Sequence, residues 1–177
     1  LIINDLNSNR RALLYLATGL GKTVVTGAII QWFFKQFPNK RILILAHARD
    51  LIYQIEKSIW QDLDKNTPTQ IIDSGEKPND LSGVTLATRQ SIIKYIKEGY
   101  SPDFVIVDEA HHVGGEGEYF DIFSSLPNAL RLGVTATPWR GDKFAISSIF
   151  GDPSYSLGIA EGMRQGYLAE VNYKLFC

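Results

Sequence analysis

Cysteine is almost missing from this chain, with one residue, Cys177, in 177. A single thiol excludes a disulfide framework and a cysteine-based zinc site, and it suits a reducing, cytoplasmic setting. Long apolar runs are missing too. Stretches such as 42–46 and 104–107 fall far below the roughly 20 residues a membrane helix requires, and no charged-then-apolar leader opens the chain. A soluble protein with no membrane partner is expected. Excess charge of either sign is also lacking: 18 Lys and Arg stand against 19 Asp and Glu, a formal net charge of −1. That balance gives no general attraction to nucleic acid, so polyanion binding has to be local or shared with another part of the protein. Neither an internal repeat nor a low-complexity tract is seen.

With 45% hydrophobic residues, the chain can fill one core and is short for two full domains. One domain over 1–177 is expected. The sequence starts at Leu1 and stops in the apolar run Tyr173-Lys174-Leu175-Phe176-Cys177, and reads as a fragment of a longer protein. Short β-rich runs alternate with longer helical patterns: Arg11 to Leu16 precedes Lys22 to Phe37, and Arg41 to His47 precedes Asp50 to Leu63. This is the βαβ signature. Further strands are predicted at Gln70 to Asp73, Val84 to Thr88, Phe104 to Asp108, Leu130 to Thr135 and Val171 to Phe176, and helices at Gln90 to Lys97 and Ile159 to Gln165. The fold class that follows is α/β, doubly wound, with a mainly parallel sheet and helices on both faces. Turn-rich loops separate the elements, and the glycine-rich, acidic segment Gly114 to Glu118 reads as a mobile surface loop.

The loop Ala17-Thr18-Gly19-Leu20-Gly21-Lys22-Thr23 joins the first strand to the first long helix. Gly19 and Gly21 permit positive φ and close backbone approach, so consecutive N–H groups can face phosphate oxygens while the helix N-terminus adds its dipole. Lys22 then sets a cation on the β and γ phosphates of a nucleoside triphosphate, and the Thr23 hydroxyl can ligate a bridging Mg2+. The strict pattern begins with glycine, where this chain has Ala17.

The run Phe104-Val105-Ile106-Val107 reads as a buried strand ending in Asp108-Glu109-Ala110-His111-His112. Carboxylates at the C-terminal edge of a parallel strand lie where open α/β sheets bind ligands. Asp108 can hold magnesium, usually through its water shell, and Glu109 can orient and deprotonate an attacking water. Taken alone, an Asp-Glu pair is also what a solvated strand end looks like. With only three histidines in the chain, His111 and His112 read as hydrogen-bonding groups linking the acidic segment to a neighbouring strand, in preference to zinc ligands. That neighbour is Leu132-Gly133-Val134-Thr135-Ala136-Thr137-Pro138, where the proline stops the strand and leaves Thr135 and Thr137 free to bond across.

These three segments, in this order and each at a strand end, resemble motifs I, II and III of superfamily 2 helicases. Within that superfamily they are most similar to the DEAH-type group that contains the motor subunits of type I and type III restriction enzymes. Leu45-Ala46-His47-Ala48-Arg49-Asp50-Leu51 with Gln54 is similar to motif Ia, and Ala87-Thr88-Arg89-Gln90-Ser91-Ile92 to the next nucleic-acid-contacting motif. The tail, with Trp139-Arg140-Gly141-Asp142 and Ile159 to Leu168, resembles the exit from the family's first RecA-like domain.

The resemblance implies a RecA-like domain that uses ATP and Mg2+. It assigns phosphate binding to Thr18, Gly19, Leu20, Gly21, Lys22 and Thr23, metal to Thr23 and Asp108, and catalysis to Glu109 with Lys22 and Asp108. Coupling falls to His111, Thr135 and Thr137, and contact with a DNA or RNA backbone to His47, Ala48, Arg49, Thr88, Arg89 and Gln90. The implied partners are nucleic acid, a second RecA-like domain of the same polypeptide, and restriction-modification subunits. No Gln-x-x-Gly-Arg-x-x-Arg stretch is present, so the arginine of the second domain is expected from elsewhere, and the isolated chain is expected to bind ATP and hydrolyse it poorly. No adenine-contacting glutamine motif is recognisable in Leu1 to Arg10. Two alternatives stand beside this reading. A guanine-specific switch wants Asn-Lys-x-Asp, but Asn39-Lys40 runs into Arg41-Ile42; a decayed nucleotide-binding scaffold sits poorly with Lys22, Thr23, Asp108 and Glu109 all being present.

Overall fold

The runs Ile42–Ala46 and Phe104–Asp108 are apolar at nearly every position, the composition of strands covered on both faces. In the computed structural model, which describes residues 1–61, 63–73, 78, 80–114, 117–137 and 146–169, they form the centre of a seven-stranded sheet. In chain order the elements are α1 (Ile2–Asn9), β1 (Arg11–Leu16), α2 (Lys22–Gln36), β2 (Ile42–Ala46), α3 (Arg49–Ile59), β3 (Thr69–Ile72), β4 (Val84–Thr88) and α4 (Arg89–Lys97). Then follow β5 (Phe104–Asp108), a 3-10 turn (Ala110–His112), α5 (Glu118–Ser125), β6 (Leu130–Thr135), α6 (Ser147–Phe150), β7 (Pro153–Leu157) and α7 (Ile159–Arg164). The strand order is β3-β4-β2-β5-β6-β1-β7, and each pairing is parallel. This is the doubly wound α/β sheet expected.

Successive strand residues alternate between two cores. Leu14 and Leu16 of β1, Ile42 and Ile44 of β2, and Phe104 and Ile106 of β5 pack with Leu6 of α1, Ile30 and Phe33 of α2 and Ile52 of α3. Leu13, Leu43, Leu45, Val105 and Val107 face the other way, toward Ile92 of α4, Ile122 and Phe123 of α5 and Phe150 of α6. Close approach on this second face needs a bare backbone at Gly133, where a Cβ would lie 2.8 Å from the Phe150 ring. Among the described residues, no helix is long and apolar enough to cross a membrane.

Four elements had no sequence signal. The helix α1 is rich in Asn and Ser, which compete with helical hydrogen bonding, and Leu6 is its one buried anchor. The helix α5 begins at Glu118, inside the stretch expected to be a loop, and buries Tyr119, Ile122 and Phe123. The helix α6 is a single turn, and β7 is an edge strand opening at Pro153, a residue tolerated only where no ladder N–H is needed. The predicted strand Val171 to Phe176, Pro138 and Trp139-Arg140-Gly141-Asp142 lie outside the described residues.

Candidate functional site

The chain leaves β1 and returns to the sheet as β2 on the far side of β6 and β5, so the order reverses at this point and a crevice opens at the strand ends, where ligands of such sheets bind. Register sets Asp108 of β5 beside Val134 of β6, and Thr135 beside Tyr15 of β1. The phosphate-loop, acidic and threonine segments therefore emerge side by side.

The phosphate loop is closed by Leu20 N–H donating to the Ala17 carbonyl at 3.2 Å, and tied to β7 by Ala17 N–H donating to the Leu157 carbonyl at 3.0 Å. Gly19 (φ 85°) and Gly21 (φ 77°) both occupy the left-handed region, and Gly21 directly precedes α2. Fifteen helical residues thus aim the positive end of their dipole at an exposed loop. The Lys22 ammonium curls back to donate to the Leu16 carbonyl at 3.5 Å, a long hydrogen bond easily exchanged for a phosphate. Thr26 hydroxyl donates to the Lys22 carbonyl at 2.9 Å and stiffens the first turn. Beside the loop opens a cavity of about 720 Å³ lined by Ile3, Leu20, Val25, Tyr155 and Tyr167 among others. Its size is that of a small-molecule site.

Thr23 and Asp108 line one small cavity of about 20 Å³, floored by Ile44, Ile106 and Val134. Burial pushes the Asp108 carboxyl above its ordinary value, and the Glu109 charge adds to this; a hydrogen bond from the Glu109 backbone and the charges of Lys22 and His47 oppose it. A hydroxyl and a carboxylate that gains from a nearby cation form a hard-oxygen pair suited to magnesium carried in with a nucleotide. Among the described residues there is no cluster of three His, Cys, Asp or Glu side chains that could hold a metal alone.

Glu109 adopts φ 50° and ψ 53°, one of two non-glycine residues with positive φ among the described residues. Such a conformation costs of order 1–3 kcal/mol and persists where surrounding structure enforces it. It swings the chain out of β5 into the 3-10 turn, closed by His112 N–H donating to the Glu109 carbonyl at 2.9 Å. Glu109 Oε2 then lies 3.3 Å from His111 Nδ1, which is 2.9 Å from Thr135 Oγ1. The buried Thr135 hydroxyl donates to the Thr137 carbonyl at 3.0 Å and accepts from the Thr137 N–H at 3.0 Å. With its one proton so used, it accepts from His111 Nδ1–H, which fixes the ring's protonated nitrogen. A polar chain thus runs Glu109–His111–Thr135–Thr137.

The residues expected to touch a nucleic-acid backbone gather at the ends of β2 and β4. His47 and Ala48 follow β2, and Arg49 opens α3 with its guanidinium paired to Asp73, which also accepts from Tyr53 Oη at 3.0 Å. The Thr88 hydroxyl caps α4 by accepting from Ser91 N–H at 3.3 Å. Arg89 lies over the Tyr119 ring, with its Nε 2.7 Å from the Glu118 carboxylate but off the line of its N–H. Gln90 is exposed in the first turn of α4. The counter-ions Asp73 and Glu118 carried no sequence signal, since both lie in or beside stretches that read as loops.

A glycine-rich turn before a helix, two carboxylates ending a neighbouring strand, and a threonine bonded to the acidic segment define a phosphate-loop NTPase domain of the RecA-like helicase type. The family model described as Type III restriction enzyme, res subunit, matches residues 2–140, and the chain belongs to that family. It is 31% identical to the Type I restriction enzyme EcoAI endonuclease subunit of Escherichia coli over 174 residues, covering 92% of this chain and 21% of that subunit. The fold matches the Type ISP restriction-modification enzyme LlaGI, solved in complex with a DNA substrate mimic, with TM-score 0.76, 18% identity, and coverage of 93% of this chain and 19% of that one. It matches the Pyrococcus furiosus Hef helicase domain equally well, with TM-score 0.76, 21% identity, and coverage of 98% and 41%. The chain therefore spans only about a fifth of the restriction subunit it resembles.

Proposed function

We propose that this chain is the ATP-binding motor domain of an ATPase driven by DNA, in which ATP hydrolysis is coupled to movement on the duplex or its strands. The nucleotide's phosphates lie on the N–H groups of Thr18 to Thr23, with Lys22 against the β and γ oxygens and the base toward the apolar cavity bounded by Tyr155 and Tyr167. Thr23 and Asp108, which line one cavity, would hold magnesium, and the metal would neutralise charge on the phosphates. Glu109 takes a proton from a water as its oxygen attacks the γ-phosphorus and the bond to ADP breaks. His111 holds Glu109 and reports to Thr135 and Thr137. Arg49 and Arg89, with the N–H groups at the starts of α3 and α4, grip the sugar-phosphate backbone without reading bases. The other wall of the cleft, with its arginine, is a second RecA-like domain of the same polypeptide, and restriction-modification subunits are the partners its relatives suggest.

The observation that carries this reading is the meeting of three strand ends, with Thr23 and Asp108 on one cavity and the hydrogen-bonded chain from Glu109 to Thr135 alongside. Glu109→Gln in the full-length protein should keep binding of a non-hydrolysable ATP analogue and lower kcat about 10²- to 10⁴-fold. Hydrolysis at the wild-type rate would remove Glu109 from the chemistry.

A further inference from the structure

All three histidines of the sequence stand in one row. The His47 ring, after β2, packs on the His112 ring with centroids 4.2 Å apart and planes at 39°. His112 packs in turn on His111, again at 4.2 Å and at 40°. Neighbouring strands bring these rings together, since Leu45 of β2 is in register with Val107 of β5. His47 Nδ1 is shielded from solvent and has no hydrogen-bond partner among the described residues. The face of the ring is in contact with His112. At the other end of the row, His111 Nδ1 serves both Glu109 and Thr135.

We propose that His112 is a positioning residue: stacked between His47 and His111, it carries occupancy of the loop after β2 to the Glu109 carboxylate. The proposal rests on the reading of this chain as a nucleic-acid-driven ATPase. Rings in contact cannot tilt independently, so a backbone phosphate that shifts His47 turns His112, and His112 turns the ring that orients Glu109. The row is a second link between the track and the hydrolytic carboxylate, distinct from the bond between His111 and Thr135. Because His112 is exposed, its replacement opens no core.

The test is steady-state ATPase of the full-length protein, with and without saturating linear duplex DNA, together with the affinities for an ATP analogue and for the DNA. His112→Ala should lower the ratio of DNA-stimulated to basal turnover about 5- to 20-fold, through kcat, with KM for ATP and both affinities within about twofold of wild type. His112→Phe, which keeps a ring and discards its nitrogens, should restore the ratio. At saturating DNA, His47→Ala should lower the ratio similarly, and His47→Ala with His112→Ala should be no worse than the poorer single variant, as expected of residues acting through one stack. An unchanged ratio in His112→Ala, failure of the Phe variant to restore it, or additive effects in the double variant overturns the proposal alone. If His112→Ala fails to melt cooperatively, the His47→Ala and His112→Phe comparison decides the same question. A wild-type protein that neither duplex nor single-stranded DNA nor RNA stimulates overturns the motor reading along with it.

Discussion

At the ends of β1 and β5, Lys22 and Asp108 make no ion pair among the described residues, whereas at the ends of β2 and β4 each arginine already faces a carboxylate. Asp108 is held above its ordinary pKa chiefly by burial. Arg49 by contrast is paired with Asp73 and Arg89 with Glu118, on one continuous sheet edge. The first region is arranged so that a ligand supplies the missing charge. In the second, a ligand has to displace a charge already there. On the proposed reading, a nucleotide would be drawn into a site with unmet electrostatic demand, while a polyanion would exchange with carboxylates at little net gain per contact, which suits a track that must be gripped and released.

The larger of the two expected binding effects bears on the first region. Lys22→Ala should weaken ATP-analogue affinity about 10- to 150-fold, the range for losing a charge-assisted hydrogen bond, measured by fluorescence titration of the purified chain. An affinity within twofold of wild type would show that the ammonium serves the Leu16 carbonyl and nothing else, and the contrast between the regions would collapse.

A smaller effect bears on the second region. Glu118→Gln frees Arg89, and Asp73→Asn frees Arg49. Each should tighten duplex DNA binding by the full-length protein about 1.5- to 5-fold at low ionic strength, the range of an exposed ion pair, with the gain shrinking as salt rises. Unchanged or weaker binding in both variants, read by fluorescence anisotropy, would mean that neither arginine meets the backbone.

The same contrast explains how much of the molecule was legible in the sequence. Phosphate chemistry demands fixed residue types at fixed spacing, so Gly19, Gly21, Lys22, Thr23, Asp108 and Glu109 mark the crevice by spacing alone, and the strand runs around them set it on a doubly wound sheet. Arg49 and Arg89 announced only their positions at helix starts. Their pairing partners come from 73 and 118, brought close by topology and carrying no local signature. The row of His47, His112 and His111 was hidden for the same reason, because stacking across two strand ends leaves no spacing to read. The helix α1 and the strand β7 leave no sequence signal because each is marginal by propensity and is held by packing, through Leu6 and Leu157 in the shared core.

The smallest effect is one of stability, and it reverses sign with ligand. A carboxyl whose pKa is raised on folding favours the folded state below its unfolded pKa and loses that contribution as pH climbs through the folded value. Once deprotonated, Asp108 in the ligand-free protein is therefore a charged, half-buried group pressed by the Glu109 charge. Asp108→Asn should raise the melting temperature of the ligand-free chain, by about 2–4 °C for each kcal/mol relieved at this chain length, and the gain should disappear in acid as the wild-type carboxyl takes up its proton. With Mg2+ and an ATP analogue present the order should invert, since the wild type gains binding free energy that the Asn variant cannot match. A variant that melts below wild type without ligand at neutral pH, or that gains as much from Mg2+ and nucleotide, would show that Asp108 is held for the fold and not for the metal. Glu109, one residue away in a left-handed conformation, would then be the only member of the acidic pair whose strain points to chemistry.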